Sequence, residues 1–321
     1  MITLVWFASL LALIAWMVSA LFTPLVLNGI ERAGAEPRLR GRRVLVVAAL
    51  PLLAAMGVGG SMLMVIVGKA AGWIDDHCLE HGPGHPHLCL HHLPALALNP
   101  GLWLPQAAAL IALLIGQLRA VGQEVSVGRA LASVSALSRR RGVLRIAEFA
   151  RPLAVAHGLR RPVVLLSRGL LSGLDARQRR IVLAHEAAHL RAGHPRWSLL
   201  LLLLSVFHLP KARHALAEAW SAAREHVADD EVARRFGAQD VAETLARVAR
   251  FRPVDSSVAV SVAGHDPLAR AWRLIEPRSF DDGGGQWFEA GVACAGSALA
   301  ASILIGHHAM ETLLGLLVGA G

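Results

Sequence analysis

Apolar positions in this chain come in long unbroken runs rather than in a short helical or strand period. No charged residue occurs from Ile2 to Ile30, which exceeds the roughly 20 residues needed to cross a hydrocarbon core. A second run extends from Val44 to Gly68 and a third, shorter one from Gly101 to Leu118. A fourth begins near Phe288 or Ala290 and reaches Gly306. It is rich in small residues (Gly291, Ala293, Gly296, Ala298, Ala300), as expected of a helix packed closely on others. Thr312 to Gly321 is apolar but too short to cross alone. The first run is not read as a signal peptide, because no basic residue precedes it and its apolar stretch is too long. The pattern predicts four membrane helices. The third run is the shortest of them, and a buried core helix is its alternative.

Composition agrees with this pattern: 55% of the 321 residues are apolar, so neither an ordinary soluble domain nor a disordered chain is expected. The net charge is +9, with 30 Arg and 2 Lys. A basic balance often points to nucleic acid, but its distribution here points to a membrane. Five Arg lie between Glu31 and Arg43, one Lys lies in 69–100, and the remaining 26 basic residues lie between Arg119 and Phe288. The positive-inside rule then places the N-terminus outside, the first linker inside, the 69–100 loop outside and 119–288 in the cytoplasm. Direct nucleic-acid binding is not expected.

Within the basic region stands His185-Glu186-Ala187-Ala188-His189. Asp175 and Gln178 have the spacing of a capping box, which predicts a helix starting there. On that helix His185 and His189 share one face, one turn apart, and two imidazoles so placed bind one Zn²⁺. Glu186 beside them has the place of a general base. A catalytic zinc needs a third protein ligand. Glu225, in AREHVADDEV, is the candidate, and Asp229 one turn on has the spacing of a carboxylate that orients a ligand histidine from behind. Taken alone, that acidic run also reads as a solvated helix face.

Between these motifs lies Ser198 to Leu209, SLLLLLLSVFHL. It cannot be a simple crossing if His185, His189 and Glu225 bind one ion, and about 12 helical residues span only roughly 18 Å. A buried or interfacial segment, or half of a re-entrant hairpin, is expected.

The order of parts resembles the membrane zinc peptidases of the BlaR/MecR type, which are gluzincins, and more distantly the HtpX-like membrane proteases. The matching pieces are RPVVLL from Arg161, LAHEAAHLRAGHP, the apolar segment ending in Phe207-His208-Leu209-Pro210, AREHVADDEVARRFG, and ARAWRLIEP from Ala269 to Pro277. Ala228 stands where the family usually has Cys, and His194 where it commonly has Asp. No Ser-x-x-Lys occurs, so sensing of β-lactams by a penicillin-binding domain is not expected. The resemblance implies an α-helical membrane protein with a cytoplasmic zincin-like α+β metallopeptidase domain, in a bacterial inner membrane. Residues 1–118 would hold three membrane helices, 119–287 the peptidase domain, and 288–321 a C-terminal membrane helix. It also implies one Zn²⁺ and a protein substrate, either a DNA-binding repressor of the BlaI/MecI type or, as in HtpX-like proteases, membrane proteins under quality control. Whether the chain forms an oligomer is open.

Val163 to Ser167 is expected to be an edge strand that holds substrate by strand addition. Arg224 and His226, neighbours of Glu225, are unranked candidates for stabilising the oxyanion, since the chain has no Tyr. A non-enzymatic membrane metal sensor is the remaining alternative. It would need a closed fourth ligand, and no Cys is available in the region predicted to be cytoplasmic. The loop from Trp73 to His92 gathers His77, Cys78, His81, His85, His87, Cys89, His91 and His92. Its cysteines could form a disulfide, or its imidazoles and thiolates could bind copper or zinc. Cys294, inside the fourth run, is read as a packing residue.

Overall fold

The computed structural model describes residues 2–73, 100–159, 161–251 and 266–276, together with 288 and 291. The His- and Cys-rich loop from 77 to 92, nearly all of the fourth apolar run, Cys294 and the segment 312–321 lie outside the described residues.

The first three apolar runs are helices: α1 (Ile2–Arg32), α2 (Pro37–Ala70) and α3 (Leu104–Ala136), the last entered through a 3-10 turn at Pro100–Trp103. All three are long and apolar enough to cross a membrane. They leave large apolar side chains such as Leu21, Met64 and Leu114 exposed, as a lipid-facing surface requires. A short turn containing Gly34, which has φ 60°, joins α1 to α2, and Pro37 opens α2 where a missing N–H costs nothing. Helix α3 runs unbroken past Leu118 to Ala136, so the third apolar run and the domain that follows share one rod.

That rod leads into a four-stranded mixed sheet made of β1 (Arg139–Arg141), β2 (Leu144–Ala147), β3 (Ala154–His157) and β4 (Val163–Ser167). The strand order is β1-β2-β4-β3, with β4 parallel to β2 and antiparallel to β3. The expectation that Val163 to Ser167 lies at an edge is therefore overturned. Leu165 and Leu166 are wholly buried, and a continuous apolar run of this kind marks a strand covered on both faces. The edges are β1, which is exposed, and β3, whose residues are all half-buried. Gly158 ends that strand at φ 100°, and a Cβ there would come within 2.5 Å of the Arg161 carbonyl oxygen.

The short helix α4 (Arg168–Ser172) and then α5 (Ala176–Arg191) follow the sheet. The expected capping box opens α5: the Asp175 carboxylate accepts from the Arg177 and Gln178 N–H groups, and the Gln178 side chain accepts from the Asp175 N–H. Leu170, Leu174 and Val182 pack beneath Val164 and Leu166, which seats α5 against the sheet.

The apolar segment folds as α6 (His194–Ser205), which turns over at 206–209 into α7 (Pro210–Phe236). Helices α8 (Ala238–Ala249) and α9 (Pro267–Ile275) complete the described fold. The α6–α7 turn is fastened to all three long helices. Trp16 Nε1 donates to the Phe207 carbonyl at 2.7 Å, His208 bridges Thr23 Oγ1 and the Ala48 carbonyl at 3.0 Å each, and Gln117 donates to the Leu203 carbonyl at 2.9 Å. Leu204, Leu216 and Trp220 share one buried cluster with Leu27, Ile30, Val44 and Val47, and Phe288 packs onto it. The segment Ser198 to Leu209 is thus one arm of a hairpin, as the single-ion argument required.

His208 is buried and makes both of its hydrogen bonds across the hairpin junction. Replacing it by Ala removes two buried hydrogen bonds across the junction, at a cost of about 1–3 kcal/mol, while Thr23 keeps its bond to the Ser19 carbonyl. The expected outcome is a lower unfolding midpoint in detergent with unchanged zinc content. An unchanged midpoint would show that this bridge does not hold the hairpin.

Candidate metal centre and cleft

Helix α5 presents His185, Glu186 and His189, and α7 presents Glu225 and Asp229. The hairpin brings the two helices together. Ile181 of α5 packs on Val232 of α7 and Val241 of α8, below the polar residues.

Donor atoms of His185, His189 and Glu225 all lie within 4.8 Å of one another. His185 Nε2 is 3.1 Å from His189 Nε2 and 3.3 Å from Glu225 Oε2, and His189 Nε2 is 3.6 Å from Glu225 Oε1. Zinc bonds of about 2.0–2.1 Å at tetrahedral angles put neighbouring donors about 3.3 Å apart, so this trio fits zinc as it stands. Among the described residues no other group of His, Cys, Asp and Glu converges in this way. A structural site would call for a fourth protein ligand.

Each histidine is held from behind. His185 Nδ1 lies 3.1 Å from Asp229 Oδ1, the role expected of that carboxylate. His189 Nδ1 lies 2.7 Å from His194 Nδ1. A metal-facing Nε2 must offer a lone pair, so Nδ1 of His189 carries the proton and donates to His194. Burial pushes the His194 pKa down to about 3, with His189 and Arg224 adding to the effect, so His194 is the neutral acceptor that this arrangement needs. Its place is set by Gly193, whose left-handed φ of 67° ends the α5 turn and starts α6 back toward the site. The sequence showed His194 as a departure from the related pattern; the structure gives it a partner.

Arg270 of α9 is the residue that the motifs did not reveal. Its guanidinium is buried and grips both acids: Nη1 is 2.8 Å from Glu225 Oε2, while Nε and Nη2 donate to the two Asp229 oxygens at 2.8 and 2.7 Å. It belongs to ARAWRLIEP, a block noticed in the sequence without a role for any residue. Electrostatics follow from this packing. Burial disfavours charge on Glu225 and Asp229, but Arg270 and the histidines outweigh it and hold both carboxyls well below the usual range. Burial also opposes charge on His185, yet hydrogen bonds to Asp229 and Glu225 push its pKa up to about 10. A metal ion bound by His185 would take the place of that proton.

The centre opens into a cleft of about 1500 Å³, lined by His185, Glu186, His189, Glu225, Arg224, edge strand β3 and the upper half of α3. His157 of β3 also lines the cleft, and its Nε2 lies 3.0 Å from Ser135 Oγ of α3. Arg224 is tied by Nη1 to Ser198 Oγ at 3.4 Å, with Nε 3.7 Å from Glu225 Oε1. His226 is not among the lining residues, and its carbonyl accepts from Arg273.

Arg270→Lys keeps the charge but cannot span three carboxylate oxygens, and Asp229→Asn removes the charge behind His185. Each should weaken zinc binding by about 10–100-fold in chelator competition. Wild-type affinity in both variants would refute the clamp.

No curated protein and no solved structure matches the chain. Residues 120–254, from the upper half of α3 to just beyond α8, match the family model for peptidase family M48, and this match, together with the three converging ligands, supports a zinc metallopeptidase.

Proposed function

We propose that the protein is a membrane-embedded zinc endopeptidase whose cleft faces the cytoplasm. One observation carries the reading: three ligands at tetrahedral spacing open onto a cleft bordered by β3, with neither a fourth ligand nor a strand on the outer side of β3 among the described residues. This disfavours a sensor with a closed structural site. The cytoplasmic orientation is supported by the basic residues of 31–43 and 119–288.

His185, His189 and Glu225 would hold the ion. Zinc bound there supplies a Lewis acid for the scissile carbonyl and makes attacking water acidic. Glu186, in the cleft wall between the two histidines, takes the proton of that water and delivers it to the leaving amine. Extended substrate pairs with the free edge of β3, where its main chain gains ladder hydrogen bonds. Of the two unranked neighbours of Glu225, Arg224 lines the cleft and is assigned to the developing oxyanion.

Both substrate readings, a cytoplasmic BlaI/MecI-type repressor and membrane proteins under quality control, are compatible with this chemistry. The apolar wall that α3 contributes favours the second. The hydrolytic role is tested with Glu186→Gln in the full-length protein. Casein hydrolysis should fall by about 10²–10⁴-fold while zinc stays bound at wild-type stoichiometry. Undiminished hydrolysis would remove Glu186 from the mechanism.

A further inference from the structure

Helix α9 has two faces with different surroundings. Pro267, Arg270 and Ala271 are buried, and Arg270 grips the metal-site acids. On the other face Leu268, Trp272 and Ile275 recur at helical spacing and are 48%, 64% and 53% exposed. None of the three lines the cleft, whereas Pro267 and Arg270 do. Among the described helices that follow α3, no other exposes three large apolar residues.

The level of this stripe follows from α7, which runs back along α2 in the opposite sense. Leu216 clusters with Val44 and Val47, and a Cβ on Gly41 would stand 3.4 Å from Trp220 and 3.6 Å from Ala223. Gly41 lies in the basic end of α2, among Arg38, Arg40, Arg42 and Arg43, where the positive-inside rule places the cytoplasmic headgroups. Arg270 and Arg273 meet α7 at Glu225, Asp229 and Asp230, only about 3–10 Å further along. From Arg270 to Arg273 the partners on α7 shift by a single position, from Glu225 and Asp229 to His226 and Asp230. Helix α9 therefore crosses α7 and lies closer to the membrane plane than to its normal. A second exposed tryptophan marks the same level: Trp197 precedes Ser198, whose Oγ accepts from Trp220 Nε1 at 2.9 Å. Tryptophan is enriched at the headgroup layer. Past α9, Phe288 lies over the Arg43 guanidinium at 5.5 Å, so the chain returns to this level before the fourth apolar run.

We propose that the cytoplasmic surface of the bilayer covers Leu268, Trp272 and Ile275, and that this contact holds Arg270 on the metal-site acids. The occupant is anionic phospholipid: the stripe enters the boundary of headgroups and acyl chains, and exposed Arg32 and Arg38 meet the headgroup charge. The proposal rests on the membrane-embedded reading above and adds a lipid requirement to the metal centre. With its outer face uncovered α9 docks less firmly, and Glu225 and Asp229 lose the cation that fixes them.

The test uses the full-length protein with Cys78, Cys89 and Cys294 replaced by Ser, in vesicles of phosphatidylethanolamine and phosphatidylglycerol. One nitroxide is placed at Leu268→Cys, Ile275→Cys, Ala238→Cys or Leu114→Cys, and its collisions with oxygen and with a water-soluble nickel chelate are measured. Ala238, exposed at the start of α8, is the aqueous reference, and Leu114 of α3 the lipid reference. Labels at Leu268 and Ile275 should favour oxygen over nickel, between the two references. In the same vesicles Trp272→Asp should weaken zinc binding by about 10-fold in chelator competition, while Trp272→Phe keeps wild-type affinity. A mainly water-exposed side chain would not produce that loss, and the added negative charge would itself favour the cation. Nickel access equal to Ala238 at both α9 positions, or spin coupling there between two copies of the chain, overturns the lipid contact. Wild-type zinc affinity in Trp272→Asp overturns the hold on Arg270. Nickel access at Leu114 as well would overturn the membrane-embedded reading itself.

Discussion

Two carboxylates buried side by side, Glu225 and Asp229, set the terms for this structure. Both are almost removed from solvent on one face of α7, where unpaired charge is very costly. Arg270 answers that cost with three short contacts, and His185 lies between the same two acids. The site is therefore organised by charge before it is organised by metal. Helix α9 must dock so that its arginine reaches α7, and α7 must return alongside α5 so that its glutamate reaches the histidines. The orientation of each ligand then follows, His185 through Asp229 and His189 through His194.

The hairpin converts that requirement into a membrane architecture. With α5 and α7 joined in one site, the greasy segment between them has to go out and come back. It does so against α1, α2 and α3, with its turn held by Trp16, Thr23, Ala48 and Gln117. Membrane helices and peptidase domain are thereby parts of one packed body rather than an anchor and its cargo.

What the sequence made legible was local or periodic. The histidine pair and its capping box lie within one helix, Asp229 follows Glu225 by one turn, and long apolar runs need only composition to be recognised. The refusal of Ser198 to Leu209 to cross followed from asking three ligands to share one ion. The misplaced edge strand shows the limit of apolar runs. Val163 to Leu166 speak of burial on both faces, while Ala154 to His157 are too short and mixed to announce an edge. Arg270 was hidden for a different reason. On an amphipathic helix with Leu268, Trp272 and Ile275 exposed, an arginine reads as solvated, and only the fold reveals that it points at acids 41 and 45 residues away.

Helix α3 also has a mechanical meaning. Gly116 is the bare point at which it bears on Val206, and everything above that point, up to Ala132 in the cleft wall, is a stiff lever about 24 Å long. Everything below it belongs to the apolar part of a helix long enough to cross a membrane. Spanning helices change tilt when hydrocarbon thickness changes, and a tilt of about 10° about this fulcrum carries the upper end sideways by about 4 Å. That is close to the spacing of two strands in a sheet, the space a bound peptide takes up beside β3. Bilayer thickness and cleft width are thus two readings of one angle.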